Sequence, residues 1–240
     1  MVSASADKEI YMKTIAIIPA FNEEHNIGEV VRGTLKHVDK VYVIDNNSKD
    51  QTAIIAEKAG AIVFPEYEKG AGAATRHGWC VCKELARMGE CDIVVTIDGD
   101  GQHNPDDIPW LLAPILKNDA DVVLGTRFVN PEIMPGYRRF GNKVITLCAN
   151  LYYNGDWITD AQCGLRAFNK LALNALTIEE NSYGLIIEAI MKSRSLGLRI
   201  AEVPVQCIYR GLDQDSNMNP VKHGLSILLG IAKWRLKLWI

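Results

Sequence analysis

The chain has no run of about 18 uncharged apolar residues, so nothing in its 240 residues reads as a membrane-spanning helix. It also lacks an excess of either charge. Its 26 basic and 29 acidic residues provide no global field for nucleic acid, which is not expected as a partner. No Pro/Gly/Ser-rich linker, low-complexity run or internal repeat divides it, so one α/β domain with a substantial core and C-terminal additions is expected. The stretch Met1 to Glu9 is polar and has no apolar signal-peptide core; residues 1–13 are read as a tail. Paired cysteines are missing as well. Of the six, only Cys80 and Cys82 lie close together, on an expected helix where i and i+2 point to different faces. That argues against a shared disulfide or metal and for reduced thiols in a cytosolic protein.

What is present is organised around Ile93 to His103. Ile93 to Ile97 is a buried strand, too short for a helix and rich in branched side chains. It runs into Asp98-Gly99-Asp100, where two carboxylates on a turn can converge on a hard divalent cation such as Mg²⁺ or Mn²⁺, completed by substrate phosphates. Asn104 then caps a helix, with Pro105 at its first position and acids in its first turn. A bare Asp-x-Asp is equally a solvated turn. Its setting, after a buried strand and before a capped helix, places the acids at the carboxyl edge of a sheet, where open α/β proteins bind ligands.

Taken in order, strands are expected at Thr14 to Ile18, Lys40 to Ile44, Ala61 to Phe64, Ile93 to Ile97 and Asp121 to Leu124. Helices are expected from Glu24 to about His37, over Gln51 to Ala59 with Ser48 or Asp50 as cap, and from the glycine-rich turn Glu68 to Ala74 to near Met88. Alternating strands and helices predict a doubly wound, mostly parallel sheet. Three polar clusters end consecutive strands: Pro19 to Glu23, Asp45 to Asp50, and Asp98 to Asp100. A parallel sheet carries them to one edge and so to one site. Asp45 can accept from a base N–H or simply cap a helix. Lys69-Gly70-Ala71-Gly72 has neither the Walker nor the dinucleotide spacing.

The ordered set Ile18 to Glu23, Ile44 to Asp50, Lys69 to Gly72 and Asp98 to His103 resembles family 2 glycosyltransferases with the GT-A fold, most of all the dolichyl-phosphate mannose synthase group and its archaeal and bacterial relatives. The likeness continues through Gly125 to Arg127, Arg138 to Asn142, Asp160 to Phe168, Glu202 to Pro204 and Tyr209-Arg210, and so covers residues 14–219 as one GT-A domain and a little beyond. It implies that Pro19, Ala20, Asn22, Glu23 and Asp45 hold the nucleoside, with Lys69, Gly70 and Gly99 also on the donor side. Asp98, Asp100 and Gln102 would surround the diphosphate and its metal. Arg127, Arg138, Arg139, Asn142 and Arg210 would meet a polyprenyl or dolichyl phosphate, and Asp160 would lie beneath the acceptor. Three departures stand out: Asn46 where a second acid is usual, Cys163 where Ser is usual, and Asn217 in place of a Lys, for which Lys222 could compensate.

The resemblance implies an inverting, metal-dependent transfer of sugar from GDP-mannose, UDP-N-acetylglucosamine or UDP-glucose, supplying lipid-linked sugar for glycosylation. A lipid phosphate is already ionised, with a second pKa near ~6, and needs cations rather than a base. A hydroxyl acceptor would instead need a carboxylate base, for which Asp160 is the candidate. Residues 220–240 form an expected amphipathic helix. Lys222, His223, Lys233 and Lys237 fall on a narrow arc, and Leu225, Ile231, Trp234, Leu236 and Trp239 lie on the wide one. Such a helix suits the membrane interface, which would make the enzyme peripheral at the cytoplasmic face. The alternative is a final helix packed on the sheet, a second copy or a membrane subunit. Two other classes compete: a nucleotidyltransferase, for which Pro19 to Glu24 lacks Arg and Lys, and a silent scaffold, against which the acid and arginine set argues.

Overall fold

A computed structural model describes residues 11–128, 136–151, 157–181, 184–208 and 229–232, apart from the side chains of Tyr137 and Arg138. The first half alternates β1 (Thr14–Ala20), α1 (Ile27–Thr34), β2 (Lys40–Asp45), α2 (Thr52–Lys58), β3 (Ile62–Pro65), α3 (Ala71–Arg87) and β4 (Ile93–Thr96). A short 3-10 turn (Pro105–Asp107) leads into α4 (Ile108–Leu116), followed by β5 (Val122–Thr126), α5 (Gly136–Leu151), β6 (Arg166–Asn169), α6 (Lys170–Ala175), α7 (Leu185–Ser195) and β7 (Ile200–Pro204).

The seven strands form one sheet in the order β3-β2-β1-β4-β6-β5-β7. Alternate side chains of each strand feed opposite layers, as the two-residue period demands. Ile15 and Ile17 face a layer containing α3, α6, α7 and the inner side of α5. Ala16 and Ile18 face a layer containing α1, α2 and α4. With both faces covered, the strands read as continuous apolar runs.

The mostly parallel sheet expected from the sequence is present, with all five expected strands. β6 is the exception: it runs antiparallel between β4 and β5, pairing Thr96 and Leu124 with Arg166. Because β1, β2 and β4 are parallel neighbours, with Ala20 opposite Asp45 and Ile17 opposite Thr96, their carboxyl ends share an edge. Local caps follow the chemistry of the chain. Asn104 accepts from the Asp106 N–H at 3.1 Å, and Asp50 accepts from the Thr52 N–H at 3.0 Å. Ser48 does not cap α2, because its hydroxyl is taken by the Asn22 N–H at 2.9 Å.

Of the expected C-terminal helix, residues 229–232 are described, and they are helical. Ile231, which the helical wheel put on the membrane-facing arc, is only 1% exposed and joins the core cluster containing Ile145 and Ala149. That turn packs on the protein. Arg210, Asn217 and Lys222 lie outside the described residues. Among the described residues, no helix is long and apolar enough to cross a membrane.

Candidate active site

At the end of β1, Asn22 takes a left-handed conformation (φ 56°), which Asn tolerates better than most residues. That turn is stitched to the turn after β2. Lys49 N–H donates to Asn22 Oδ1 at 2.8 Å, Glu23 N–H to Thr52 Oγ1 at 2.7 Å, and Glu24 N–H to Asp50 Oδ2 at 3.1 Å. Two of the three expected polar clusters therefore form one rigid rim, with Pro19 and Ala20 at its base and Phe21 exposed upon it.

Asp45 ends β2 and is buried. Its Oδ2 accepts from the Ser48 N–H at 3.3 Å, while Oδ1 is buried without a partner. An unpaired buried acceptor is costly, and a ligand N–H would relieve it. Asn46 has a different task from the acid usual in the resembled family. Its amide nitrogen donates to the carbonyls of Glu68 (2.6 Å) and Glu66 (3.3 Å), and its Oδ1 accepts from Gly70 N–H at 2.9 Å. A carboxylate could not donate. Asn46 thus ties the Lys69-Gly70 loop to the sheet edge. Gly70 is required there by its φ of +125° and by Asn181, whose carbonyl oxygen would lie 2.6 Å from an added Cβ. Lys69 is exposed on this loop.

Asp98 and Asp100 follow β4. His103 is buried and reaches Asp98 Oδ2 through Nε2 at 3.3 Å. Gly164, just before β6, lies so close that a Cβ would fall 2.2 Å from the same oxygen. The Asp98 side chain is nevertheless 46% accessible, so a ligand can reach it. Burial pushes its carboxyl up, but the His103 hydrogen bond and the charges of His103, Arg127 and Arg166 outweigh this and hold it below the ordinary range. Asp100 accepts from the Gln102 N–H at 2.9 Å, and burial followed by the Asp98 charge pushes it up. Glu23 is also raised, by burial and then by the charges of Asp100, Asp50 and Asp98, against the pull of its bond from Asn26. These acids crowd one another, and a divalent cation would relieve them. Among the described residues no three His, Cys, Asp or Glu side chains form a ready cage. Asp98 and Asp100 instead suit a hard ion that completes its shell with phosphate oxygens. Gln102 is fixed through its backbone, its carbonyl accepting from Ile208 N–H at 2.8 Å.

Beyond β5, Arg127 and Asp160 form a two-pronged pair, Nε to Oδ2 at 2.7 Å and Nη2 to Oδ1 at 2.9 Å. Asp160 has no exposed surface, and its oxygens also accept from the N–H groups of Arg127 (3.2 Å) and Gln162 (3.2 Å). Burial pushes Asp160 up, but Arg127 more than offsets it and holds the carboxyl low; the guanidinium is likewise held charged against its own burial. A base for a hydroxyl acceptor needs a reachable lone pair, which this carboxylate does not present. Glu202 on β7 holds the loop, accepting from Thr159 N–H at 2.8 Å and Asp160 N–H at 3.1 Å. On α5, Asn142 and Thr146 are buried one turn apart, and Thr146 Oγ1 accepts from Ala161 N–H at 3.1 Å, bracing the Asp160 loop. Arg139 is half-buried on that helix. Arg166 is consumed in structure: it donates to the carbonyls of Cys163, Ile186 and Ala161 at 2.7–2.8 Å, and burial brings its pKa down to about 10.

Sequence reasoning assigned no role to His103, Gly164 or Glu202. His103 and Gly164 stood inside the quoted motifs, but their partner Asp98 is met only through the folded sheet. A cavity of about 380 Å³ flanks the acid loop on the α1 side, lined in part by Asn26, Arg32, Lys36 and His103.

Residues 15–175 match the sequence model of Glycosyl transferase family 2. The chain is 35% identical over 228 residues to the UDP-N-acetylglucosamine–dolichyl-phosphate N-acetylglucosaminyltransferase of Methanococcus voltae, covering 85% of this chain and 87% of that one. It is 28% identical over 240 residues to the undecaprenyl-phosphate mannosyltransferase of Micrococcus luteus, covering 94% and 95%. Crystals of the glucosyl-3-phosphoglycerate synthase of Mycobacterium tuberculosis with Mn²⁺, UDP and glucosyl-3-phosphoglycerate share the GT-A fold, with a TM-score of 0.72 at 24% identity over 92% of this chain and 80% of that one.

Proposed function

This chain belongs to glycosyl transferase family 2 and is a glycosyltransferase, and we propose that it moves a sugar from a nucleoside diphosphate to the phosphate of a polyprenyl or dolichyl lipid, with inversion at the sugar. One observation carries the choice of acceptor. At the acceptor side the carboxylate, Asp160, is buried and spent on Arg127, and so it offers no reachable base among the described residues. An acceptor that must lose a proton is poorly served by that arrangement, whereas one that is already an anion is well served. The names of the Methanococcus and Micrococcus relatives point to the same lipid class.

On the donor side, Asp98 and Asp100 would hold Mg²⁺ or Mn²⁺ against the diphosphate, with Gln102 beside them. The ion supplies neutralisation of the charge that develops on the leaving group. The chain's own residues do the positioning. His103 and Gly164 fix Asp98, the Asn46 tether fixes the loop bearing Lys69, and the Asn22 rim fixes the nucleoside floor. Arg127, with Arg139 and Asn142 from α5, would orient the lipid phosphate for attack on the sugar carbon from the face opposite the diphosphate.

The open Oδ1 of Asp45 also favours a base. Uracil offers one N–H between two carbonyls, whereas guanine offers two adjacent donors that need two acceptors. With Oδ2 and Asn46 committed elsewhere, uridine fits better. The deciding experiment is transfer of labelled sugar from each nucleotide sugar to polyprenyl phosphate and, separately, to the matching polyprenol. Transfer to the phosphate alone is expected; comparable transfer to the alcohol overturns the reading.

A further inference from the structure

The segment after α6 is fastened to α3 at two places. The Leu176 carbonyl accepts from Trp79 Nε1 at 3.4 Å and from Lys83 Nζ at 3.1 Å, both on α3. Further on, Asn181 lies against the turn that opens the same helix. Its carbonyl oxygen leaves no room for a side chain at Gly70, where a Cβ would fall 2.6 Å away. Its amide nitrogen donates to Glu68 Oε1, while Glu68 Oε2 accepts from Arg76 of α3 at 2.6 Å. The loop carrying Lys69 is therefore held twice, by Asn46 from the sheet edge and by Asn181 from this segment.

Between Leu176 and Asn181 the segment is anchored on α7. Glu188 has no exposed surface. Its carboxylate accepts from the N–H groups of Glu179 and Glu180, each at 2.9 Å, and pairs with Lys192 Nζ at 2.7 Å. Lys192, one turn on and also buried, donates to the Thr177 carbonyl and, at 3.0 Å, to Glu179 Oε1. A buried ion pair adds little net stability over apolar packing of the same volume. This pair instead directs its bonds to one short stretch of chain, which fixes where that stretch lies.

We propose that Glu188 is a positioning residue for the donor: it sets residues 177–180 so that Asn181 holds the Lys69-Gly70 loop, and with it the nucleoside diphosphate, in place. The proposal rests on the reading that this loop belongs to the donor site. The unmet hydrogen-bonding groups point the same way. Asn181 Oδ1 is buried without a partner, as is Oδ1 of Asp45, the neighbour of Asn46. Both attachments of one loop thus carry an open acceptor, which is costly until a donor arrives. A nucleoside, with its base N–H and ribose O–H groups, supplies such donors.

The test is calorimetric binding of UDP and, in parallel, GDP with Mn²⁺ to the wild type, Asn181→Ala, Glu188→Asp, these two combined, and Asn46→Asp. Glu188→Asp keeps a charge for Lys192 but shortens the reach to the two N–H groups. Asn181→Ala leaves the buried pair intact and decides the matter if Glu188→Asp folds poorly. For the diphosphate that the wild type binds more tightly, each of the two is expected to raise Kd at least ~10-fold, the scale of a lost buried hydrogen bond. The combined variant should bind no more weakly than Glu188→Asp alone, because both act through one join. The KM for polyprenyl phosphate should stay near the wild-type value, a split that general loosening of the fold would not produce. Unchanged Kd in Asn181→Ala or in folded Glu188→Asp overturns the proposal, as do losses that simply add or an equal rise in the acceptor KM. If Asn46→Asp alone weakens binding, only the role of Glu188 falls; if no variant does, the donor reading of the loop falls with it.

Discussion

Asp160 gives both carboxylate oxygens to the guanidinium of Arg127, at 2.7 and 2.9 Å, and has no surface left for solvent. A buried pair of this kind is costly to break from one side, because the survivor is an unpaired charge. Asp160→Ala should therefore lower stability by about 3–5 kcal/mol, read as a fall in the urea midpoint. Arg127→Ala leaves a carboxyl that can take up a proton, and should raise the KM for polyprenyl phosphate more than that for the nucleotide sugar. Equal effects on both substrates would remove Arg127 from the acceptor side.

Asp100→Asn should lower transfer by at least ~10²-fold, the scale of losing a main electrostatic stabiliser. Mn²⁺ binding followed by electron paramagnetic resonance should weaken in the same variant. Undiminished turnover in excess EDTA would refute the metal assignment.

The three hydrogen bonds of Asn46 hold the loop from Glu66 to Gly70. Asn46→Asp replaces the donating NH2 group by one oxygen that faces two carbonyl oxygens. It should cost about 1–3 kcal/mol, appearing as weaker nucleoside-diphosphate binding by calorimetry with the acceptor KM little changed. Unchanged binding would mean that the loop does not touch the donor.

Calorimetry also tests the base. With Mn²⁺ present, UDP should bind at least ~10-fold more tightly than GDP, the scale of one unpaired buried donor, and Asp45→Ala should narrow the gap. Tighter binding of GDP would overturn the uridine reading while leaving the nucleotide-sugar chemistry intact.

Acid should unfold the far edge of the sheet through Asp121. Its carboxylate is held at about 2, first by the hydrogen bond from Arg199 at 2.9–3.0 Å. The folded pKa is thus below the unfolded value near ~3.9. The stabilisation is complete above pH ~4 and disappears as pH falls towards 2. Arg199 is half-exposed and screened, so the contribution is about 1–2 kcal/mol. Asp121→Asn should lower stability at pH 7 and flatten its decline between pH 4 and 2, measured by denaturant titration.

The sequence by itself determined the alternating strands and helices, the shared edge of β1, β2 and β4, and the caps at Asn104 and Asp50. Each of these is written within a few residues: a branched apolar run long enough for a buried strand, or a side chain that reaches a backbone N–H two positions on. The tertiary structure decided what those elements do together. β6 enters antiparallel between β4 and β5, and only that insertion brings Gly164 against Asp98. Asn46 read as a missing acid until its amide was seen to hold the glycine loop. Asp160 was the candidate base for a hydroxyl acceptor, and only the folded structure shows it buried against Arg127. Ile231 read as a lipid contact until it was found in the core. A residue's type limits which bonds it can make, but its burial and its distant partners are set by the packing of the whole sheet, and no local pattern encodes them.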